Sequence, residues 1–156
     1  MRKALRKRLA GRRRKIIMEM VNFHFDIDGD NFTSAGEASV RIKKMLREMA
    51  FSAETIRRVS VAMYEGEINM VIHANGGTAD VNVFEDKIEI ILADRGPGIP
   101  DVNLAMQEGY STAPDNIRSL GFGAGMGLPN MKRYTDDMKI ESEVGKGTTV
   151  YMTICV

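Results

Sequence analysis

Three polar residues recur at every fourth position in the middle of the chain: Glu65, Asn69 and His73. On a helix that spacing sets a carboxylate, a carboxamide and an imidazole along one slowly drifting face. Such a stripe could supply a general base and an oxygen ligand for Mg²⁺, a hard cation that keeps several of its waters; it could equally be a solvated helix face. Further on, Asp94-Arg95-Gly96-Pro97-Gly98 follows a run containing Ile88, Ile90, Ile91 and Leu92. An acid at the end of an apolar strand is held rigidly, so Asp94 could accept a hydrogen bond from an exocyclic amine while Gly96 and Gly98 let a flat ring pass close to the backbone. A type II turn uses similar residues. In a third stretch Gly121, Gly123, Gly125 and Gly127 alternate with other residues ahead of a helical pattern. Backbone without Cβ can turn successive N–H groups toward an anion, and the following helix adds the positive end of its dipole, which is the chemistry of a phosphate cradle. Alternating glycines also occur in loops and tight turns.

These groups need elements to position them. Residues 22–27 alternate apolar and polar side chains and predict a half-buried strand ended by Asp28-Gly29-Asp30. Ser34 with Glu37 three residues on has a capping-box pattern, and Ala38, Ile42, Met45, Leu46 and Met49 continue it at helical spacing. Ser52, with Glu54 behind it, predicts the start of a second helix whose apolar stripe includes Ile56, Val59, Met63, Met70 and Val71. That helix carries Glu65, Asn69 and His73, and Asn75-Gly76-Gly77 is expected to end it because these residues tolerate the left-handed conformation. Residues 78–84 and 87–93 predict an antiparallel pair about a Glu85-Asp86 turn. Residues 94–101 form a glycine- and proline-rich loop, and 102–120, without a clear period, read as a mobile segment with at most a short helix. Residues 128–137 read as helix, and 138–144 and 148–155 as a closing hairpin around Gly145-Lys146-Gly147.

A chain of 156 residues is expected to be one domain, long enough to bury about two-thirds of the unfolded surface. Hydrophobic residues make up 44% and charged residues 28%, and no apolar run reaches the length that spans a bilayer. The basic start is not followed by an apolar h-region, so a cytoplasmic protein is expected and a membrane role is not. The single Cys155 cannot form an internal disulfide and is expected to pack in the core of the last strand. Charge is unevenly spread. Residues 1–15 hold nine of the 22 basic residues and no acid, leaving 13 bases against 21 acids, a net −8, for the remainder. Residues 1–17 therefore read as a basic arm, a solvated tail rather than a nucleic-acid contact, and 18–156 as the folded domain.

The order Glu65-x-x-x-Asn69-x-x-x-His73, Asp94-x-Gly96-x-Gly98-Ile99, the glycines up to Gly127-Leu128, and Gly147-Thr148 before a final strand closely resembles the GHKL (Bergerat-fold) ATP-binding domain, which gyrase, MutL and the histidine kinases share. The resemblance covers about residues 20–156. It looks most like the free-standing anti-sigma-factor and switch-protein serine/threonine kinases of bacteria: 94–101, 108–112 and 123–129 with Lys132 and Arg133 are similar to the switch-kinase loops, whereas the Glu65, Asn69 and His73 helix is similar to the anti-sigma kinases. The implied fold is α+β: a two-layer sandwich whose mixed, mostly antiparallel sheet carries helices on one face.

The resemblance also implies roles. Asn69 would bind Mg²⁺ and Glu65 would act as the base toward an attacking hydroxyl. Asp94 would recognise the adenine amino group, supported by Thr148 through water. Gly96 and Gly98 would line the adenine pocket, while Gly123, Gly125 and Gly127, with Leu128, would hold the phosphates beneath a lid over residues 105–124. His73 matches the pattern with either a phosphate contact or helix-end packing as its task, and Arg118 and Lys132 could neutralise phosphate charge. Gly66, inside the Glu65–Asn69 turn, costs about 1 kcal/mol relative to alanine in a helix, and Glu67 adds a second acid there. The implied activity is ATP- and Mg²⁺-dependent phosphorylation of a STAS-domain antagonist protein, with a sigma factor as a further partner and pairing into a homodimer through the sheet. The alternative is a nucleotide-dependent anti-sigma binding module without kinase activity.

Overall fold

Alternation of period two places Phe25 inside and Asn22, His24 and Asp26 outside on β1 (Val21–Asp28), the first strand of the computed structural model, which describes residues 20–119 and 125–156. The basic arm and Gly121 and Gly123 of the glycine run lie outside the described residues. β1 pairs with β2 (Gly76–Val83), β2 with β3 (Lys87–Ala93), and β3 with the last strand, β5 (Gly147–Cys155), which also takes β4 (Asp137–Glu143) on its far side. The order is β1-β2-β3-β5-β4, and all of these ladders run antiparallel. Register puts Phe25, Ala79, Val81, Ile88, Ile90, Leu92, Val150, Met152 and Ile154 on one buried face. The helices cover that face, so the α+β, two-layer expectation holds. The other face is polar, as an antiparallel sheet allows.

Two helices form most of the second layer, α1 (Glu37–Glu48) and α2 (Ala53–His73), and both pack their stripes into the core: Ile42 and Leu46 from α1, Val59 and Met63 from α2, all fully buried. Burying each such side chain contributes about 1.5–3 kcal/mol relative to leaving it exposed. α2 starts where the sequence places it, with Ser52 Oγ accepting from the Thr55 amide at 3.1 Å. It ends at Ala74, where Asn75 (φ 56°) and Gly76 (φ 97°) turn the chain into β2.

The start of α1 differs from expectation. Ser34 belongs to a single 3-10 turn, Phe32–Ser34, and the residue preceding α1 is Gly36 in the left-handed region, with no side chain to cap the helix. The cap comes from α2 instead: the Ala38 amide donates to Glu67 Oε1 at 3.0 Å and the Ser39 amide to Glu67 Oε2 at 2.8 Å. Two orphan donors of one helix are thus satisfied by a carboxylate of the other, which is 1% exposed. Gly66 beside it has a packing reason. A Cβ there would overlap Leu92 Cδ1 of β3, so the missing side chain lets α2 settle onto the sheet. The expectation for Cys155 is corrected as well: it is exposed, because the register that buries Ile154 turns its neighbour outward.

The remaining helices among the described residues are short: α3 (Val102–Ala105), α4 (Asp115–Arg118) and α5 (Gly127–Arg133). The segment 102–119 thus holds two single helical turns where no period was found. Among the described residues no helix is long and apolar enough to cross a membrane.

Candidate functional site

One face of α2 forms a wall of a cavity of about 500 Å³, within the range of small-molecule sites. Glu65, Asn69 and His73 all line it, so the four-residue spacing is a cavity stripe rather than a solvated face. Glu65 Oε1 accepts a 2.9 Å hydrogen bond from Asn130 Nδ2 of α5, leaving Oε2 without a protein partner among the described residues. Asn69, one turn on, lies against Gly127: a Cβ at 127 would stand 3.1 Å from both its Oδ1 and its Nδ2. His73 is at the end of the stripe with its outer side exposed. Desolvation by the surrounding protein holds its imidazole pKa below the ordinary value, which favours the neutral ring.

Asp94, at the end of β3, faces the same cavity. Its Oδ1 accepts from the Gly96 amide at 2.9 Å and the Thr148 amide at 3.1 Å, while its own amide donates to the Thr148 carbonyl at 2.9 Å. Both described bonds fall on Oδ1, so Oδ2 remains as an acceptor held in fixed orientation. Thr148 is buried and shares a 2.8 Å hydroxyl contact with Ser142, whose Oγ also accepts from the Ile99 amide at 2.7 Å. Strand ends and loop are thereby tied into one polar corner.

The glycines serve this corner chiefly by letting backbones approach one another. Gly98 has φ 76°, and a Cβ there would overlap the Glu143 carbonyl of the β4–β5 hairpin; Gly98 lines the cavity. Gly96 does not line it, sits against Ala74, and acts on the corner through its bond to Asp94. Gly125, at φ 78°, accepts from the Gly109 amide at 2.9 Å, and its Cα lies so close to Tyr110 that a side chain would not fit. Gly125, Gly127 and Leu128 line the cavity, Gly127 against Asn69; Gly123 lies outside the described residues. Arg118 and Lys132 are exposed and are not among the lining residues.

The family described as "Histidine kinase-like ATPase domain" matches residues 31–154. This chain belongs to that family. Serine/threonine-protein kinase RsbT of Bacillus subtilis is 30% identical over 112 residues, covering 69% of this chain and 78% of that protein. The anti-sigma F factor of Clostridium acetobutylicum is 35% identical over 120 residues, or 74% and 80% of the two chains. Among solved structures, the RsbU and RsbW domains of Rv1364c from Mycobacterium tuberculosis match with a TM-score of 0.59 at 16% identity, over 86% of this chain and 32% of that longer one. The mycobacterial sensor histidine kinase MprB matches with a TM-score of 0.50 at 16% identity, over 86% and 97%. At such identities the solved structures speak to the fold alone, and they agree that it is the histidine kinase-like ATPase fold.

Within this histidine kinase-like ATPase domain three groups escaped the sequence reading. Asn130 follows Gly127 by three residues, a spacing that sets both on one helical face, yet nothing in the sequence pairs it with Glu65. Glu67 was only a neighbouring acid, and its task depends on where α1 begins; burial pushes its carboxyl pKa up and the α1 amides pull it back. Tyr64, Tyr110, Ser111 and Thr112 also line the cavity, and Tyr64 and Tyr110 are partly exposed. In the sequence, 108–112 shows only a resemblance to a switch-kinase loop.

Proposed function

We infer that this chain is an ATP-dependent protein serine/threonine kinase whose acceptor is a STAS-domain antagonist protein of an anti-sigma network, and that it works in the cytoplasm. The reading is carried by the convergence of Glu65, Asn69 and Asp94 on one cavity that Gly125 to Leu128 also line. Asp94 Oδ2 offers the acceptor that an adenine amino group needs, and Thr148 supports it. Asn69 and the backbone of Gly125 and Gly127 lie at the other end, where phosphates would be held. Carboxamide and carboxylate oxygens at Asn69 and Glu65 fit a hard cation, and the described residues contain no cluster of three or more His, Cys, Asp or Glu that would cage one. Mg²⁺ would therefore be held by Asn69 together with the nucleotide, where it would neutralise charge on the phosphoryl oxygens.

In the transfer itself, the acceptor's Ser or Thr oxygen forms the new bond to the γ-phosphorus, and the bond from that phosphorus to the β,γ-bridging oxygen breaks, leaving ADP. Glu65 Oε2 takes the hydroxyl proton. Asn69 and Asp94 fix the two ends of the nucleotide, so most of the catalysis is positioning and charge neutralisation. The similarity to proteins named anti-sigma F factor favours a second reading, a nucleotide-dependent binder of a sigma factor that transfers nothing. Incubation with Mg²⁺, radiolabelled ATP and a STAS-domain antagonist protein separates the two. Label on the acceptor that disappears in Glu65→Ala is expected, with a loss of about 10²–10⁴-fold. Retention of the partner without consumption of ATP would instead establish the binder, and labelling unchanged in Glu65→Ala would remove Glu65 from the role of base.

A further inference from the structure

We propose that Asn130 is a positioning residue for Glu65, tying one carboxylate oxygen so that the other is presented to the cavity, and that transfer through this base thereby depends on how α5 is seated. The proposal rests on the kinase reading above. Asn130 Nδ2 donates to Glu65 Oε1 at 2.9 Å in partly buried surroundings, and Asn130 is not itself among the lining residues. It stands behind the base rather than beside the substrate. A carboxylate on a helix surface has rotamer freedom to lose, and one fixed oxygen removes most of it. The chemistry of the partner matters too. An arginine or lysine there would neutralise Glu65 and weaken it as a proton acceptor, and a carboxylate would repel it; an uncharged amide donor orients without neutralising.

The same helix touches two more groups of the site. Gly127 abuts Asn69, and Met131 is fully buried near Gly66, with its Cε 3.6 Å from where a Cβ on Gly66 would stand. Successive residues of α5 therefore meet the turn of α2 that carries both Glu65 and Asn69. Elsewhere on α5, Arg133 pairs with Glu108 at 3.0 Å, and the Gly109 amide next to Glu108 bonds to the Gly125 carbonyl at 2.9 Å just ahead of α5. Asn130 thus links the base to the loop wall of the cavity through one short helix.

The test compares the wild-type chain with Asn130→Ala, Asn130→Asp, Glu65→Gln and the exchanged pair Glu65→Gln/Asn130→Asp. Each is measured for phosphoryl transfer to the STAS-domain protein at saturating ATP, for affinity toward a fluorescent ATP analogue, and for melting temperature. Asn130→Ala and the isosteric Asn130→Asp are expected to lower kcat by about 10–100-fold, the scale of losing alignment of a reacting group, with nucleotide affinity changed less than about twofold. The exchanged pair restores an amide–carboxylate bond, and so the melting temperature, but not kcat, which separates base positioning from helix anchoring. Two results would overturn the proposal: kcat within about twofold of wild type in a folded Asn130→Asp while Glu65→Gln is inactive, or losses of rate and nucleotide affinity in equal proportion, which would make α5 merely part of the pocket wall. Full activity in Glu65→Gln would instead refute the assignment of the base, and this proposal with it.

Discussion

The α2 wall of the cavity is a 21-residue helix with buried residues from Thr55 to Val71, a side-chain cap at Ser52 and a carboxylate that reaches across to cap α1. The loop wall, from 101 to 112, consists of the single four-residue turn α3, without a buried residue, and loop, fastened by an exposed Glu108–Arg133 ion pair to α5 and by the Gly109 amide to the Gly125 carbonyl ahead of it. Glu65 and Asn69, the proposed base and metal ligand, stand on the first wall; the second contributes shape and polar edges. A base must be held within a fraction of an ångström, which a packed helix can do, whereas a surface that admits and releases a nucleotide is drawn from the less stable part of a fold.

Damage to the two walls should therefore be read out differently. The largest effect on stability is expected from the helix wall. Gly66→Ala forces a methyl into Leu92, and Glu67→Ala strands the Ala38 and Ser39 amides; each should cost about 1–3 kcal/mol, seen as a lower urea midpoint with unchanged slope. A midpoint unmoved by both would show that the helix wall is not the stiff one. On the loop side, Gly125→Ala meets Tyr110 and an unfavourable φ of 78°, so it should weaken nucleotide binding several-fold while stability falls by about 1 kcal/mol, the lower end for one strained residue. Equal losses of binding and stability would mean that the two walls unfold as one. The smallest effect concerns His73. Its folded pKa is depressed, so as pH falls through the ordinary value of 6.5 the unfolded chain takes up the proton first and stability declines. His73→Gln should flatten that decline slightly, since the ring is exposed at its outer side; a steeper decline in the variant would contradict the direction of the shift.

Much of the α2 wall was legible in the sequence because its signals are local. Ser52 caps at three residues' distance, Asn75 and Gly76 turn at the other end, and the four-residue spacing of Glu65, Asn69 and His73 gives them a common face wherever the helix is packed. Asp94 was equally visible as an acid ending an apolar run. The capping-box reading at Ser34 failed for the converse reason. A carboxylate from another helix satisfied the amides of α1, and a local motif loses its hold when a distant group offers the same bonds with better geometry.

The glycines mark the boundary between the two kinds of information. Their positions suggested close approach, but to a ligand; in the structure Gly96, Gly98 and Gly125 each admit another part of the protein itself. Sequence alone determined which residue types could hold a purine, phosphates and a proton, the helix and strands that carry them, and the family resemblance, because periodicity and motif order are properties of the chain. Only the tertiary structure decided that Asn130 holds Glu65, that Glu67 caps α1 and that Gly127 lies against Asn69. These pairs are separated by 65, 28 and 58 residues in the chain, and their contact is set by how α5 and α1 pack on α2, which no local pattern encodes.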